Sequence, residues 1–225
     1  MTAALTANDR DVRRGAGIYS APILAIYDGL VIRFSNSVAW RCPSQLMLDQ
    51  YNELLGTRHL DVGLGTGWYL TNVKLPQNCE LTLVDLNPGV LETAAARINH
   101  SQQHKVIANV LEPLPEDMKA FDSIGTNFLF HCVPGTWKEK GIAFGHLAAR
   151  LKDDGVLFGA SILGSKVQHN FTGRLLMALY NTLGIFHNRG DDLEGLRASL
   201  SQHFAEINLT QVGTVAVYQA RKPLR

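Results

Sequence analysis

The chain has 225 residues, 46% of them hydrophobic, and its 21 basic residues nearly balance its 20 acidic residues. This length and composition favour one α/β domain, and the near-zero net charge argues against binding along nucleic acid or an anionic membrane. The three cysteines form no C-x-x-C pair, and no run of about 18 apolar residues predicts a membrane segment. We therefore expect a cytoplasmic protein with reduced thiols and a small-molecule partner, and the sequence leaves room for an oligomer.

Strands and helices are predicted to alternate from His59 onward. Short apolar runs predict strands over residues 60–62, 81–86, 105–110, 121–130 and 156–163. Helices are expected over 88–100 and 142–151, with a polar turn at 152–155. A last helix precedes strands at 206–213 and 214–222, which a glycine turn joins into an antiparallel pair. The alternation predicts a doubly wound, mostly parallel α/β sheet with helices on both faces.

No linker or repeat interrupts the chain, so residues 1–225 are predicted to form a single domain. Two segments lie outside the alternation: residues 1–58, expected to be a helical cover, and residues 164–191, expected to be an insertion. In an open α/β sheet, such segments can roof the crevice beyond the carboxyl ends of the strands. Four leucines of the insertion have helical spacing and are expected mostly in the core: Leu175, Leu176, Leu179 and Leu183.

Three glycines at alternate positions, Gly63, Gly65 and Gly67, follow the first predicted strand. Backbone without side chains permits a tight turn and lets a ligand approach the main chain; the alternative is a plain turn between packed elements. Asp85 ends the second strand, where a carboxylate can accept hydrogen bonds from both ribose hydroxyls. This combination indicates an adenosine-containing cofactor, while Trp68 in place of the third glycine of G-x-G-x-x-G argues against a dinucleotide.

Four segments in order resemble the motifs of class I S-adenosylmethionine-dependent methyltransferases. Residues 61–67, DVGLGTG, resemble the D/E-x-G-x-G-x-G loop, and residues 84–88, VDLNP, resemble the acidic loop after the second strand. FDSIGTNFLFHCV is similar to the family's fourth strand, and LKDDGVLF to its turn into the fifth. The SNSVAWRCP stretch is similar to a subgroup of small predicted methyltransferases.

The resemblance implies a Rossmann-like seven-stranded sheet with an antiparallel C-terminal strand, S-adenosyl-L-methionine as cofactor and S-adenosyl-L-homocysteine as product. Asp61 and the glycine loop would hold the methionine part and Asp85 the ribose. Asn109 stands where the family commonly has an acid that binds adenine, and its carbonyl can still accept a hydrogen bond. The cofactor-binding residues so implied are Asp61, Gly63, Leu64, Gly65, Thr66, Gly67, Asp85, Leu86, Asn109, Val110 and Asn127.

The methyl group of this cofactor is already activated on a positively charged sulfur, so direct transfer without a metal is expected. His131, at the end of the fourth strand, is a candidate base, and Tyr180 is a second catalytic candidate. The alternative for His131 is a packed structural histidine. An aromatic-walled acceptor cavity is expected near the insertion. Its predicted residues are Tyr19, Tyr27, Trp40 and His187.

These observations predict a methyltransferase for a small-molecule acceptor and leave the accepting atom open. One alternative is a nucleic-acid methyltransferase. The balanced charge and the NFLFHC ending of the fourth strand, in place of Asn/Asp-Pro-Pro-Tyr, oppose it. Another alternative is a non-catalytic, S-adenosylmethionine-binding regulatory protein, because binding residues and catalytic residues are largely separable.

Overall fold

The computed structural model describes residues 28–76 and 78–225, and these contain a seven-stranded sheet. Its strand order is β3-β2-β1-β4-β5-β7-β6. The strands are β1 (Arg58–Val62), β2 (Glu80–Asp85), β3 (Gln103–Ile107), β4 (Phe121–Asn127), β5 (Leu151–Ile162), β6 (Phe204–Val212) and β7 (Val215–Pro223).

Strands β1 to β5 pair in parallel, and β7 lies antiparallel between β5 and β6. This topology confirms the predicted mostly parallel sheet with its antiparallel C-terminal strand. The strand order reverses at β1, which has β2 on one side and β4 on the other. In open α/β sheets this reversal opens a crevice at the carboxyl ends of the strands, where ligands bind.

A π-helix (Asp28–Ala39) precedes seven α-helices in the described part of the chain. None of the helices in that part is long and apolar enough to cross a membrane. The Asn87 side chain caps α3 by accepting from the amides of Gly89 and Val90. The α-helices are α1 (Gln45–Leu54), α2 (Trp68–Thr71), α3 (Pro88–Ile98), α4 (Trp137–Lys140), α5 (Ile142–Ala148), α6 (Phe171–Thr182) and α7 (Leu193–Ser201).

The helices cover the sheet on both faces. Helices α4, α5 and α7 pack on a cluster that includes Phe144, Leu157 and Tyr218, while α1 and α3 pack on one that includes Leu83 and Phe158. A third cluster joins the π-helix to α6 beside β5 and β7. Of the cover predicted over residues 1–58, the described residues carry the π-helix and α1, and residues 1–27 lie outside the described part.

Several predicted boundaries were wrong, including that of β3, which ends at Ile107 rather than at 110. Strand β4 ends at Asn127 rather than at 130, because Phe128 turns into the left-handed region with φ 59°. The predicted turn at 152–155 belongs to β5, which already begins at Leu151, paired with Phe121. For the same reason the preceding helix, α5, ends at Ala148.

The insertion helix α6 turns a different face inward from the one predicted. Leu175, Leu179 and Leu183 are 59%, 47% and 54% exposed, so their assignment to the core was wrong. The buried positions are Gly173 and Met177. A Cβ on Gly173 would stand 2.9 Å from the Ala39 carbonyl oxygen, so the missing side chain lets α6 pack closely against the π-helix.

We predict that Gly159→Ala destabilises the fold by about 1–3 kcal/mol through overpacking. A Cβ there would lie 2.5 Å from both Thr126 Oγ1 and the Tyr218 hydroxyl, which bond to each other at 2.6 Å. Urea unfolding would measure the change in free energy. Gly190→Ala is the matched control, because a Cβ at Gly190 meets nothing within 4 Å, and equal losses in both variants would contradict the argument.

Candidate functional site

Two adjoining cavities lie at the carboxyl ends of the parallel strands. The first cavity, of about 790 Å³ including its open mouth, is lined by residues that follow β1, β2 and β3. Among the predicted cofactor residues, its lining contains Gly63, Gly65, Asp85, Leu86, Asn109 and Val110. The crevice expected from the strand order is therefore present and is lined by six of the eleven predicted cofactor residues.

The second cavity, of about 690 Å³ including its mouth, shares Gly63, Gly65 and Phe128 with the first. None of the described residues that line it is aspartate, glutamate, lysine or arginine. Its wall is aromatic instead and includes Tyr69 and Phe186. Besides Gly63 and Gly65, six predicted site residues line it: Trp40, Leu64, Thr66, Asn127, His131 and Tyr180.

The loop between the cavities contains Gly63 and Gly65, two positions at which the absence of a side chain matters. Gly63 has φ 70°, and a Cβ on it would lie 2.5 Å from Leu129 Cδ1. Gly65 has φ 53°, and a Cβ on it would meet nothing within 4 Å. The first glycine thus lets β1 and the exit of β4 pack together, and the second leaves main chain open toward both cavities.

Asp85 places a carboxylate at the wall of the first cavity, at the end of β2. Burial raises the pKa of this carboxyl from 3.8 to about 6, although Oδ1 accepts a hydrogen bond from the Asn87 amide at 2.9 Å. A partly buried carboxylate beside bare glycine backbone fits the ribose of a nucleoside, whose hydroxyls can donate to it. The residues present therefore fit S-adenosylmethionine.

Asn109 lines the same cavity, but its side chain already makes hydrogen bonds within its own loop. Its Oδ1 accepts from the Leu111 amide at 3.1 Å, and its Nδ2 donates to Glu112 Oε1 at 3.4 Å. The carbonyl oxygen keeps a second lone pair, so the predicted contact with an adenine amino group stays a prediction.

Asp61 lies behind the glycine loop and lines neither cavity. Its buried carboxylate accepts a hydrogen bond from the Tyr51 hydroxyl of α1 and lies 3.5 Å from His59 Nε2. His59 Nδ1 in turn lies 2.7 Å from Ser123 Oγ on β4. This buried network connects α1, β1 and β4 beneath the loop.

His131 is buried at the back of the second cavity, with Nδ1 unpartnered in the described chain. Its ring packs edge-on against Phe186, with 4.4 Å between centroids. Burial, with a smaller effect of the Lys140 charge, lowers the pKa of His131 from 6.5 to about 3. The imidazole is therefore neutral near pH 7.

Asn127 ends β4 beside His131, and neither of its buried amide atoms has a hydrogen-bond partner among the described residues. Unpaired buried polar groups are costly, so such groups at a cavity wall favour a polar ligand there. Asn127 lines the second cavity rather than the first, although the resemblance implied a cofactor contact.

Two further predicted residues, Gly67 and His187, line neither cavity. Gly67 begins α2 behind the loop, and the His187 ring turns back so that Nε2 lies 3.1 Å from the Gly184 carbonyl oxygen. Tyr19 and Tyr27 lie outside the described residues. Within the described ranges there is also no group of three or more His, Cys, Asp or Glu side chains that could hold a metal ion.

Three aromatic residues that shape the second cavity were not predicted as site residues: Tyr69, Phe128 and Phe186. Phe186 contacts the rings of His131, Tyr180 and Trp40, and Tyr69 stacks on Phe128 at 6.2 Å. Tyr69 lies just after the DVGLGTG loop and Phe128 lies within FDSIGTNFLFHCV, so their aromatic character was the available signal. No local motif pointed to Phe186, because its role depends on how the insertion folds back onto the sheet.

Residues 60–157 match the methyltransferase domain family. The chain is 42% identical to a demethylluteothin O-methyltransferase of Streptomyces thioluteus, an alignment that covers 94% of this chain and 93% of the relative. It is 39% identical to a physcion biosynthesis cluster O-methyltransferase of Aspergillus chevalieri, covering 93% and 96%. The chain belongs to the class I S-adenosylmethionine-dependent methyltransferases.

The solved structures of methyltransferases agree at the level of the fold. The N-methyltransferase NodS of Bradyrhizobium japonicum, in complex with S-adenosylhomocysteine, matches with a TM-score of 0.61 at 15% identity over 90% of this chain and 98% of that one. The first cavity of this methyltransferase thus lies where the strand order of the fold predicts its S-adenosylmethionine site.

We predict that Tyr51→Phe destabilises this methyltransferase by about 1–3 kcal/mol, because it leaves a buried carboxylate oxygen of Asp61 without its donor. Chemical unfolding would measure the loss. Tyr180→Phe is the control and should change stability by less than about 0.5 kcal/mol, because it keeps the ring contact with Phe186 and the Tyr180 hydroxyl makes no hydrogen bond within the described residues. A Tyr51 variant as stable as the control would show that the hydroxyl does not support the loop.

Proposed function

We propose that the enzyme methylates a hydroxyl group of a flat, uncharged small molecule that binds in the second cavity, without a metal. The observation that carries this proposal is the continuity of an uncharged aromatic cavity with the nucleoside cavity through Gly63, Gly65 and Phe128. Cavities lined by aromatic side chains with few polar groups favour flat apolar ligands. The relatives named as O-methyltransferases support oxygen as the accepting atom.

The first cavity is proposed to hold the cofactor. Asp85 would accept from the ribose hydroxyls, and the backbone of Gly63 and Gly65 would allow close approach of the remainder. Leu86 and Val110 would provide apolar contact with the base. When bound, S-adenosylmethionine supplies a methyl group on a sulfonium, and the protein's task is to orient the acceptor oxygen toward it.

Asn127 and His131 are proposed to bind the acceptor hydroxyl, because both line the second cavity and carry buried polar atoms that have no hydrogen-bond partner among the described residues. A histidine whose pKa is lowered to about 3 accepts a hydrogen bond but holds a proton poorly near pH 7. An ordinary alcohol would therefore lose its proton with difficulty here. The acceptor is instead an acidic hydroxyl, a phenol or an enol.

The cover and the insertion are proposed to complete this same domain. Tyr180 of α6 and Phe186 bring the 164–191 insertion to the acceptor cavity, and Trp40, just after the π-helix, brings the 1–58 segment there. A cytoplasmic location, and a small molecule rather than nucleic acid as partner, belong to the same proposal.

The test is methyl transfer from labelled S-adenosylmethionine to acceptors of matched shape: 1-naphthol, 1-naphthylamine and 1-tetralol. We expect a methyl ether of 1-naphthol, little product from 1-naphthylamine, and none from 1-tetralol, whose hydroxyl is not acidic. Mass spectrometry would identify the methylated atom. Transfer to the amine but not to the naphthol would overturn oxygen methylation, and equal transfer to 1-tetralol would overturn the requirement for acidity.

We predict that S-adenosylhomocysteine binds more weakly as pH falls below about 6, the pKa of Asp85, because the protonated carboxyl accepts less well from ribose. The raised pKa has the opposite effect on the stability of the unliganded fold. The contribution of Asp85 to the free energy of unfolding declines as pH rises from about 4 to about 6.

Calorimetric titration between pH 5 and 7.5 measures this dependence of affinity. Asp85→Asn should bind roughly 10–100-fold more weakly at pH 7.5 and lose much of the pH dependence, because a neutral amide accepts less strongly than a carboxylate. Glu92→Gln, at an exposed ion pair with Lys105, is the control and should keep the wild-type profile. The same profile in the Asp85 variant would rule out this carboxyl as the titrating ribose partner.

A further inference from the structure

A buried ion pair connects helix α4 to the end of the insertion. Lys140 Nζ lies 2.5 Å from Asp191 Oδ2, and the side chains are 0% and 2% exposed. Neither residue lines either cavity. The pair therefore lies outside the direct contacts of the proposed reaction.

The ammonium group of Lys140 has three acceptors, and they belong to two different segments. Besides Asp191, Nζ donates to the carbonyl of Phe130 at 3.2 Å and to the carbonyl of His187 at 3.4 Å. Phe130 belongs to the exit of β4, whereas His187 and Asp191 belong to the insertion. Its three N–H donors are thus matched by three acceptors that converge on one point.

Each of the two segments that Lys140 joins carries one residue of the second cavity's wall, His131 on the exit of β4 and Phe186 on the insertion. His131 follows Phe130, Phe186 precedes His187, and the His187 amide donates to the His131 carbonyl at 2.8 Å. Asp191 connects the end of the insertion to its beginning, because its carbonyl accepts from the amides of Gly164 and Ser165, both at 2.9 Å. The 4.4 Å ring contact of His131 with Phe186 thus lies beside the ion pair.

Fold stability alone does not account for a charge at this point. A buried ion pair often contributes no more than apolar residues of the same volume, because desolvation offsets the attraction. A cation with several donors can nevertheless fix the relative position of main-chain segments that apolar packing would leave less constrained. Here those segments are the ones that carry the proposed acceptor wall.

We propose that Lys140, together with Asp191, is a positioning residue that holds His131 and Phe186 in register at the acceptor cavity. The inference rests on the proposed function of the second cavity as the acceptor site. Lys140 touches neither substrate nor cofactor. It acts by joining the main chain behind His131 to the main chain beside Phe186.

The test is the double substitution Lys140→Met with Asp191→Asn, which removes both charges together and avoids leaving either one buried alone. We expect a folded enzyme whose S-adenosylhomocysteine affinity changes less than about threefold, while kcat/KM for 1-naphthol falls at least about 30-fold. Amide hydrogen exchange at His187 should accelerate, with the β-sheet core still protected.

The control is Lys166→Met, which breaks an exposed ion pair with Asp192 and Glu194 near the same insertion. It should leave kinetics and exchange at His187 unchanged. If the double variant is folded and matches wild type in both readouts, the proposal is overturned and the pair is purely structural. If the double variant does not fold, Lys140→Arg replaces it, because it keeps the buried charge paired but cannot direct its donors at the same three acceptors; at least a fivefold loss of kcat/KM is expected, and wild-type kinetics would contradict the proposal.

The two proposals fail in different ways. If wild-type enzyme does not methylate 1-naphthol, the proposed acceptor class is wrong, yet hydrogen exchange at His187 still tests the positioning role. If 1-naphthol is methylated equally by wild type and double variant, the acceptor class stands and the role of Lys140 fails.

Discussion

The site depends on a steric constraint where β1 meets the exit of β4. These strands are parallel neighbours, so their carboxyl ends leave the sheet side by side. Gly63 donates its amide to the Val84 carbonyl at 2.8 Å while Leu129 occupies the space that a side chain at Gly63 would need. Main chain without a side chain is the arrangement that satisfies both neighbours. The same bare backbone then forms the border shared by the two cavities.

A buried polar network supports this loop from below. The Asp61 carboxylate is held by Tyr51, and Gly125 lies so close that a Cβ there would stand 2.9 Å from Asp61 Oδ2. A buried carboxylate tolerates few arrangements, since each lost partner leaves charge in an apolar setting. Asp61 therefore orients the loop through helix α1. The motif aspartate thus has a structural role that does not require contact with either cavity.

Local patterns in the sequence predicted the parts of this structure that are local in origin. The apolar runs, the glycine loop and Asp85 each depend on a few neighbouring residues. The predicted sheet is present, and six of the eleven predicted cofactor residues line the first cavity. The face of α6 was misread because a missing side chain at Gly173, not the leucine stripe, decides how close the π-helix comes. The pairing of Lys140 with Asp191 could not be predicted from local sequence, because it depends on how the insertion folds back onto the sheet.

The distribution of charge around the acceptor cavity follows from these packing constraints. The cavity wall itself has no ionised side chain among the described residues, while the Lys140 ammonium lies buried behind it and disfavours a proton on His131. A sulfonium cofactor in the first cavity would add a second positive charge nearby. The Lys140 charge is largely offset by Asp191, so a sulfonium in the first cavity would be the main positive charge, and in surroundings of low dielectric it would stabilise negative charge that develops on an acceptor oxygen. The same charge would oppose a cationic acceptor, so the proposed acceptor cavity would select by charge as well as by shape, and the proposed acidic hydroxyl meets both requirements.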